Sequence, residues 1–500
     1  MPGVRLTFFV VCCVGCAANA TEYFVAPGGA GDGSSGSPFG TIAQGVNAAQ
    51  AGDTVNLAAG TYSEAIATVR AGTAGAPIVL RAAPGAAVSV TALGRVLTIS
   101  HGYFEVDGLS LDGQYGANDI VRITSAGNGT VLRNIEVRRS GNDCIDMGAP
   151  SDVRIENALI HHCLNATGGR TDAHGVVGGA VTNLTILDSE IHTFSGDALQ
   201  FDPGRASPGW DDILIEGCEF WLKPLTTPEN GFAEGVVPGE NGIDTKTYDA
   251  KPTRSKMLVR DTVAHGFRDA LISNAAAFNV KENAQVAFEN VTVYDSEIAF
   301  RVRGPGGGPG SVGAWVDVKN SVIHHVATAF RYEDNVAHLQ VYNTTLGQGV
   351  TQMFLSASSA SGGLDVRNVL FLGGTRPAEA AASSNLPTTE ASFVSPNDDD
   401  YHLKEGAPAI NAGESLAAVS DDKDGNPRPL GGAHDVGAYE WVAPIGDPPG
   451  GPVGPGGVAT DRVQVRGQSC AGLGGAGLLL FFSVLARRRY SEDYKRLRKL

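Results

Sequence analysis

Lys246 stands near the middle of a row of polar and charged residues that recurs at fixed places along the chain. Six-residue segments carry the row. They begin at Asp143 (DCIDMG), His174 (HGVVGG), Asp197 (DALQFD), Asn241 (NGIDTK), Asp269 (DALISN), Ile298 (IAFRVR) and Thr328 (TAFRYE). The third residue is always apolar: Ile145, Val176, Leu199, Ile243, Leu271, Phe300, Phe330. In a strand that residue faces the core, so the fourth and sixth face solvent. The outward pairs are Asp146 and Gly148, Val177 and Gly179, Gln200 and Asp202, Asp244 and Lys246, Ile272 and Asn274, Arg301 and Arg303, Arg331 and Glu333. A merely solvated face would be random in charge. This one runs acidic, then mixed, then basic. Side chains of these types can move protons and hold an anionic ligand. The first residue of each segment (Asp143, His174, Asp197, Asn241, Asp269) shares the interior phase and is expected to cap backbone groups in the turn before the strand.

A second repeat stacks these segments. An Asn, Asp or Gly precedes an alternating apolar stretch at Asn134, Asn157, Asp188, Gly217, Asp261, Asn290, Asn320, Asn343 and Asn368. The steps are 23, 31, 29, 44, 29, 30, 23 and 25 residues, the size of a solenoid repeat. Stretches such as Val131 to Val137 and Val153 to Ile160 alternate with the period of a strand. Three or so short strands per repeat make one coil of a parallel β-helix, with like residues stacked about 4.8 Å apart. About ten or more such coils are expected. The recurring Asn or Asp reads as a structural ladder at a bend. The longest step holds a Pro- and Gly-rich insertion, Lys223 to Glu240, expected to form a cleft wall or lid.

The ends are not fold. Residues 1–20 join Arg5, an apolar run and a small-residue end, which reads as a secretory signal. Residues 442–468 are a Pro/Gly-rich linker. Residues 469–500 hold an apolar run and three successive arginines, Arg487 to Arg489, which reads as a transmembrane or sorting segment. This tail resembles the C-terminal sorting signals of myxobacterial surface proteins. A secreted protein anchored at the cell surface or outer membrane is therefore expected. The core, 21–441, reads as one domain and as a monomer. A net charge of −16 argues against nucleic acid as a partner. Of the seven cysteines, Cys144, Cys163 and Cys218 fall in the core. One bridge is open to them; buried free thiols are the expectation.

The start of the core is Tyr23-Phe-Val-Ala-Pro-Gly-Gly, then Pro38 to Gln44, then Ala51-Gly-Asp-Thr-Val to Glu64. It resembles the N-terminus of secreted right-handed parallel β-helix proteins of the pectate-lyase superfamily. That likeness implies an all-β fold, a right-handed single-stranded parallel β-helix with a capping helix over Thr41 to Ala51. Ala407 to Gly413, Asp424 to Pro429 and Asp435 to Glu440 are similar to the closing motif of such proteins, so 404–441 should close the coil.

Within that superfamily the chain looks most like lyases that cleave uronate polysaccharides, pectate- or alginate-like, by β-elimination. The resemblance implies Lys246 as the base, Arg303 and Arg301 on a substrate carboxylate, and Asp202 and Asp244 as ligands of Ca²⁺. Gln200, Arg331 and Trp210 would touch the acidic polysaccharide. Elimination removes the proton α to a carboxylate, so that carboxylate must first be neutralised by an arginine or a cation. Asp202, one coil from Lys246, is the expected ion-pair partner of that lysine. Two other readings stand beside this one. Asp143, Asp146 and His174 loosely resemble motifs of polygalacturonase-type glycoside hydrolases, which use paired carboxylates. A non-catalytic carbohydrate-binding or adhesin coil would use Trp210, Trp221 and Tyr248 as stacking platforms.

Overall fold

The computed structural model describes residues 20–166, 171–202, 204–205, 207–247, 253–305, 312–357, 363–373 and 375–443. The sorting tail, Tyr248 and all but the last residue of the signal lie outside them. Strands dominate, as the alternation predicts. On the first face thirteen strands stack in parallel, from Glu22–Val25 to Leu364–Arg367. A further 22 strands form the other two faces, also parallel in every pairing. Two long strands, Thr292–Arg303 and Val322–Glu333, run through both of those faces and join them. Each coil therefore contributes one strand to each of three ladders, and the apolar side chains point into the space between.

The third face carries the six-residue segments. Ile145 stacks on Val176, then Leu199, Ile243, Phe278, Phe300, Phe330 and Phe354. The last four form an internal ring stack with centroids 5.2, 5.3 and 5.2 Å apart. One segment falls outside this ladder. Leu271 is 54 % exposed, and its coil enters the face through Ala276–Val280 instead. Phe278 wins the interior place because it packs against both Phe288 and Phe300, a larger apolar contact than Leu271 offers. The outward residues of that coil are Asn279 and Lys281, not Ile272 and Asn274.

The nine bend residues all have positive φ, between 44° and 65°. Asn and Gly tolerate this left-handed conformation and Asp does so better than most, which explains the restricted alphabet. At Gly217 a Cβ would lie 2.5 Å from Asp188 Oδ1. Side chains tie some bends to their neighbours: Asn157 Nδ2 donates to Asn134 Oδ1 at 2.7 Å, and Asn290 Nδ2 to Asp261 Oδ1 at 3.0 Å. The backbone N–H of Asn157 donates to Leu187 O in the following coil at 3.0 Å.

At the N-terminal end the helix Ile42–Ala48 begins at Thr41, whose hydroxyl accepts from Gln44 N while the Gln44 side chain accepts from Thr41 N. Ile42, Gly45 and Val46 are its buried residues. At the other end, Phe393–Ser395 and Asp400–Leu403 pair antiparallel and pack with Val322, Leu370, Val436 and Ala438. Beneath them Arg428 and Glu440 form a wholly buried ion pair at 2.6 Å. Cys144 and Cys163 are joined in a disulfide, and Cys218 is a buried free thiol. This corrects the expectation of free thiols: stacked coils bring residues 19 apart in sequence to a Cα separation of 5.7 Å, the reach of a bridge. Among the described residues no helix is long and apolar enough to cross a membrane.

The candidate functional site

Lys246 projects from the end of the third-face strand Ile243–Thr245. Its Nζ lies 3.3 Å from Asp244 Oδ2, two residues earlier in the same chain segment. Asp244, not Asp202, thus has the ion pair that the structure assigns to Lys246. Lys281, one coil on, puts its Nζ 2.8 Å from Asp244 Oδ1, and Asn279 Nδ2 donates to the same oxygen at 2.9 Å. Both lysines are mostly shielded, with 21 % and 13 % of the side chain exposed. Trp210 holds the backbone beneath them: its indole N–H donates to Lys246 O at 2.8 Å.

Three arginines continue the row. Arg301 Nη2, Arg303 Nε and Arg331 Nη2 lie 2.7, 2.9 and 3.0 Å from the Glu333 carboxylate. Two lysines and three arginines therefore gather about Asp244, Glu333 and Asp334, on a chain whose net charge is −16. Stacked coils put like charges about 4.8 Å apart, a cost that persists only where something anionic offsets it. Burial lowers the Arg301 pKa, with Glu333 opposing.

Several expectations change here. Gln200, Asp202 and Asp244 are 5 %, 1 % and 3 % exposed, so they are buried rather than solvent-facing. The alternation placed them off the core; it could not show that side chains of stacked coils bury them against one another. Gln200 Nε2 donates to Asp197 Oδ2 at 2.9 Å, inside the protein, and offers no surface to a substrate. Trp210 is fully buried on Phe201 and presents no stacking platform. Trp221 lies between His192 and His265, with centroids 4.1 and 6.2 Å away, so both ring faces are taken. The donor set also does not suit Ca²⁺. Both Asp244 oxygens face lysine Nζ atoms, and neither Asp202 nor Asp244 belongs to a described group of converging metal-ligating atoms. Ca²⁺ asks for six to eight oxygens.

Lys281 and Asn279 were missed by the sequence reading, and a signal for them existed. The segment AAFNVK, from Ala276, matches IAFRVR place for place, with Phe278 third, Asn279 fourth and Lys281 sixth.

The insertion Lys223 to Glu240 folds back across earlier coils. Leu225 and Phe232 cluster with Leu164, Tyr115 and Val236, and the Tyr115 hydroxyl donates to Glu229. Val237 then pairs with Ala270 beside the entry to the third face. It forms a wall.

Asp143 and Asp146 lie on the same face, three coils or about 14 Å from Lys246 along the stack, and His174 lies two coils or about 10 Å away. Asp119, from the coil before, completes a group of three carboxylates there. Each has a basic or amide partner: Asp119 has Arg95 at 2.9 Å and Asn142 at 2.6 Å, Asp146 has Arg122, and Asp143 has the His174 N–H at 2.9 Å and Nδ1 at 2.8 Å. Burial and the Asp143 charge raise the Asp119 pKa. Burial pulls the His174 imidazole down, but the Asp143 hydrogen bond and the charges of Asp143, Asp197 and Asp172 raise it overall. Asp197 Oδ1 accepts from Asn241 N at 3.1 Å, and Asn241 Oδ1 accepts from Ala276 N at 3.0 Å. Asp143, Asp197 and Asn241 cap backbone groups from coil to coil, as expected, whereas the His174 ring bonds the Asp143 carboxylate. Asp269 is also an exception: its side chain is 86 % exposed, because its segment is not in the ladder.

A family described as a protein of unknown function (DUF1565) matches residues 26–69. The comparison with curated proteins returns no match. Among solved structures, a rhamnogalacturonan lyase superposes with a TM-score of 0.52 at 14 % identity, over 75 % of this chain and 91 % of that one. A pectate lyase gives 0.45 at 18 % identity, over 85 % and 97 %. A polygalacturonase from Erwinia carotovora gives 0.39 at 14 % identity, over 71 % and 92 %. Likeness at these identities speaks to fold and not to chemistry, since one fold hosts many activities. The ladders and the first of these likenesses together give the fold: a right-handed parallel β-helix.

Proposed function

We propose that this chain is a polysaccharide lyase that cleaves a uronate-containing polysaccharide by β-elimination on the Lys246 strip. The observation that carries the reading is the gathering of Lys246, Lys281, Arg301, Arg303 and Arg331 on a chain of opposite net charge. Such a strip suits a linear polyanion laid across the coils. A uronate carboxylate would exchange with Glu333 for Arg301 and Arg303, which neutralises it and acidifies the α proton. A general base must enter uncharged. With two lysines on one carboxylate, Lys281 can remain charged for Asp244 while Lys246 takes the proton. The C–H electron pair becomes the new double bond, the bond from the β carbon to the glycosidic oxygen breaks, and Lys281 supplies the proton that the leaving oxygen needs. No step requires a metal. The proposal extends to location: secreted through 1–20 and held at the cell surface through 469–500.

The hydrolase reading keeps one observation in its favour, the raised pKa of Asp119 beside Asp143. End-group analysis of the products separates the two. Unsaturated uronate ends support elimination. Saturated new reducing ends, lost in Asp119→Asn, would transfer the assignment to the acidic group.

A further inference from the structure

Away from the strip, two adjacent histidines meet a carboxylate from a distant part of the chain. His324 and His325 lie in the strand Val322–Glu333. Asp399 belongs to the closing segment, between the turn Pro396–Asp398 and the strand Asp400–Leu403. His324 Nδ1 is 2.9 Å from His325 Nδ1. Asp399 Oδ1 is 3.1 Å from the first nitrogen and 3.7 Å from the second. The three atoms form a small triangle. A tetrahedral metal with bonds of about 2.0–2.2 Å keeps its ligands about 3.3 Å apart, which is the size of that triangle. Without an ion the arrangement is frustrated. A ring proton serves one edge of the triangle and leaves the remaining lone pairs facing one another.

We propose that His324, His325 and Asp399 bind a divalent transition metal of the zinc type and so clip the closing segment to the coil. Nitrogen ligands suit zinc and its neighbours, whereas calcium takes oxygen, so this site is distinct in chemistry from any calcium site. His324 is nearly buried, with 4 % of its side chain exposed, so it holds one corner of the triangle in place. Its ring is held by Tyr294, with centroids 5.2 Å apart, and by Tyr401 at 5.4 Å. The side chains of His325 and Asp399 are 46 % and 51 % exposed, so an ion can enter and a water can complete the coordination.

A comparison within the molecule sharpens the point. His161 and His162 form the same kind of pair, with Nδ1 atoms 2.5 Å apart and His162 at φ 58°, as His325 is at 50°. Its carboxylate, Glu229, lies 3.4 Å from His162 Nε2, on the far side of the ring. No described carboxylate closes that triangle.

The test is calorimetric titration of the full chain, stripped with EDTA, with Zn²⁺ alone, together with thermal unfolding with and without Zn²⁺. One equivalent should bind and raise the unfolding midpoint, because a ligand of the native state stabilises it. His325→Gln and Asp399→Asn should each weaken binding by about tenfold or more. Both positions are half exposed, so these variants should fold, and the unfolding curve without zinc checks that they do. His162→Gln should bind as wild type does. The proposal is overturned if no equivalent binds, if His325→Gln and Asp399→Asn bind unchanged, or if Ca²⁺ competes equally for the site.

Discussion

Asp244 decides what Lys246 can do. A buried carboxylate between two lysine side chains fixes both amines near one point. The expected partner, Asp202, came from stacking alone. The observed one comes from the same strand end, where a side chain two residues away lies on the same side. His174 makes a second test at this scale. Its folded pKa is raised above the ordinary value near 6.5. Below that ordinary value the charged imidazole stabilises the fold in full, and the contribution is lost as pH rises through the raised folded pKa. Unfolding midpoints of wild type and His174→Gln, measured across pH 5 to 9, should therefore be furthest apart at the acid end and converge toward the basic end. A gap that widens with pH would reverse the sign. His174 bonds the Asp143 carboxylate rather than a backbone group, although the sequence placed it among the capping residues. The sequence could not show that two aspartates from neighbouring coils flank the ring, since that pairing depends on coil lengths of 31 and 23 residues set by loops.

At the scale of the coil, the bends were the most legible feature, for a physical reason. A left-handed backbone penalises most side chains, so Asn, Asp and Gly mark it in the sequence. Asn157→Val places a β-branched side chain at φ 48° and removes the bond to Asn134. It should cost about 1–2 kcal/mol from the backbone alone, read by denaturant unfolding; an unchanged stability would show that the bend relaxes. The coil at Asp269 was misread because DALISN and AAFNVK have similar alternation within twelve residues of each other. Periodicity cannot choose between two such runs; the choice is made by contact with Phe288 and Phe300, residues from other coils. That misreading hid Lys281. The closing segment brings a different test. Glu440→Gln leaves Arg428 charged and 0 % exposed in its side chain. Removing one partner of such a pair typically costs about 3–5 kcal/mol. A loss within error of zero would mean that water reaches Arg428.

At the scale of the molecule, charge is divided between surface and site. The chain is acidic overall while the strip on the third face is basic. An anionic glycan drawn to that strip should bind with strong salt dependence, since exposed charge interactions are screened over about 8–10 Å at ionic strengths of 0.10–0.15 M. Dissociation constants for oligouronates measured at low and physiological salt should differ by more than those for a neutral oligosaccharide, and Arg303→Ala should flatten the dependence. Equal salt response for both ligands would remove the strip from recognition. The central claim is elimination on the two lysines. The most direct measurement follows the ultraviolet absorbance of unsaturated uronate ends on pectate, alginate and glycosaminoglycans, with the full chain and its Lys246→Ala and Lys281→Ala variants. The account predicts a rise on at least one uronate polymer, with Lys246→Ala slower by about 10²–10⁴-fold, the usual worth of a general base. A rise that survives Lys246→Ala unchanged, or cleavage of a uronate polymer with no unsaturated ends, would contradict it.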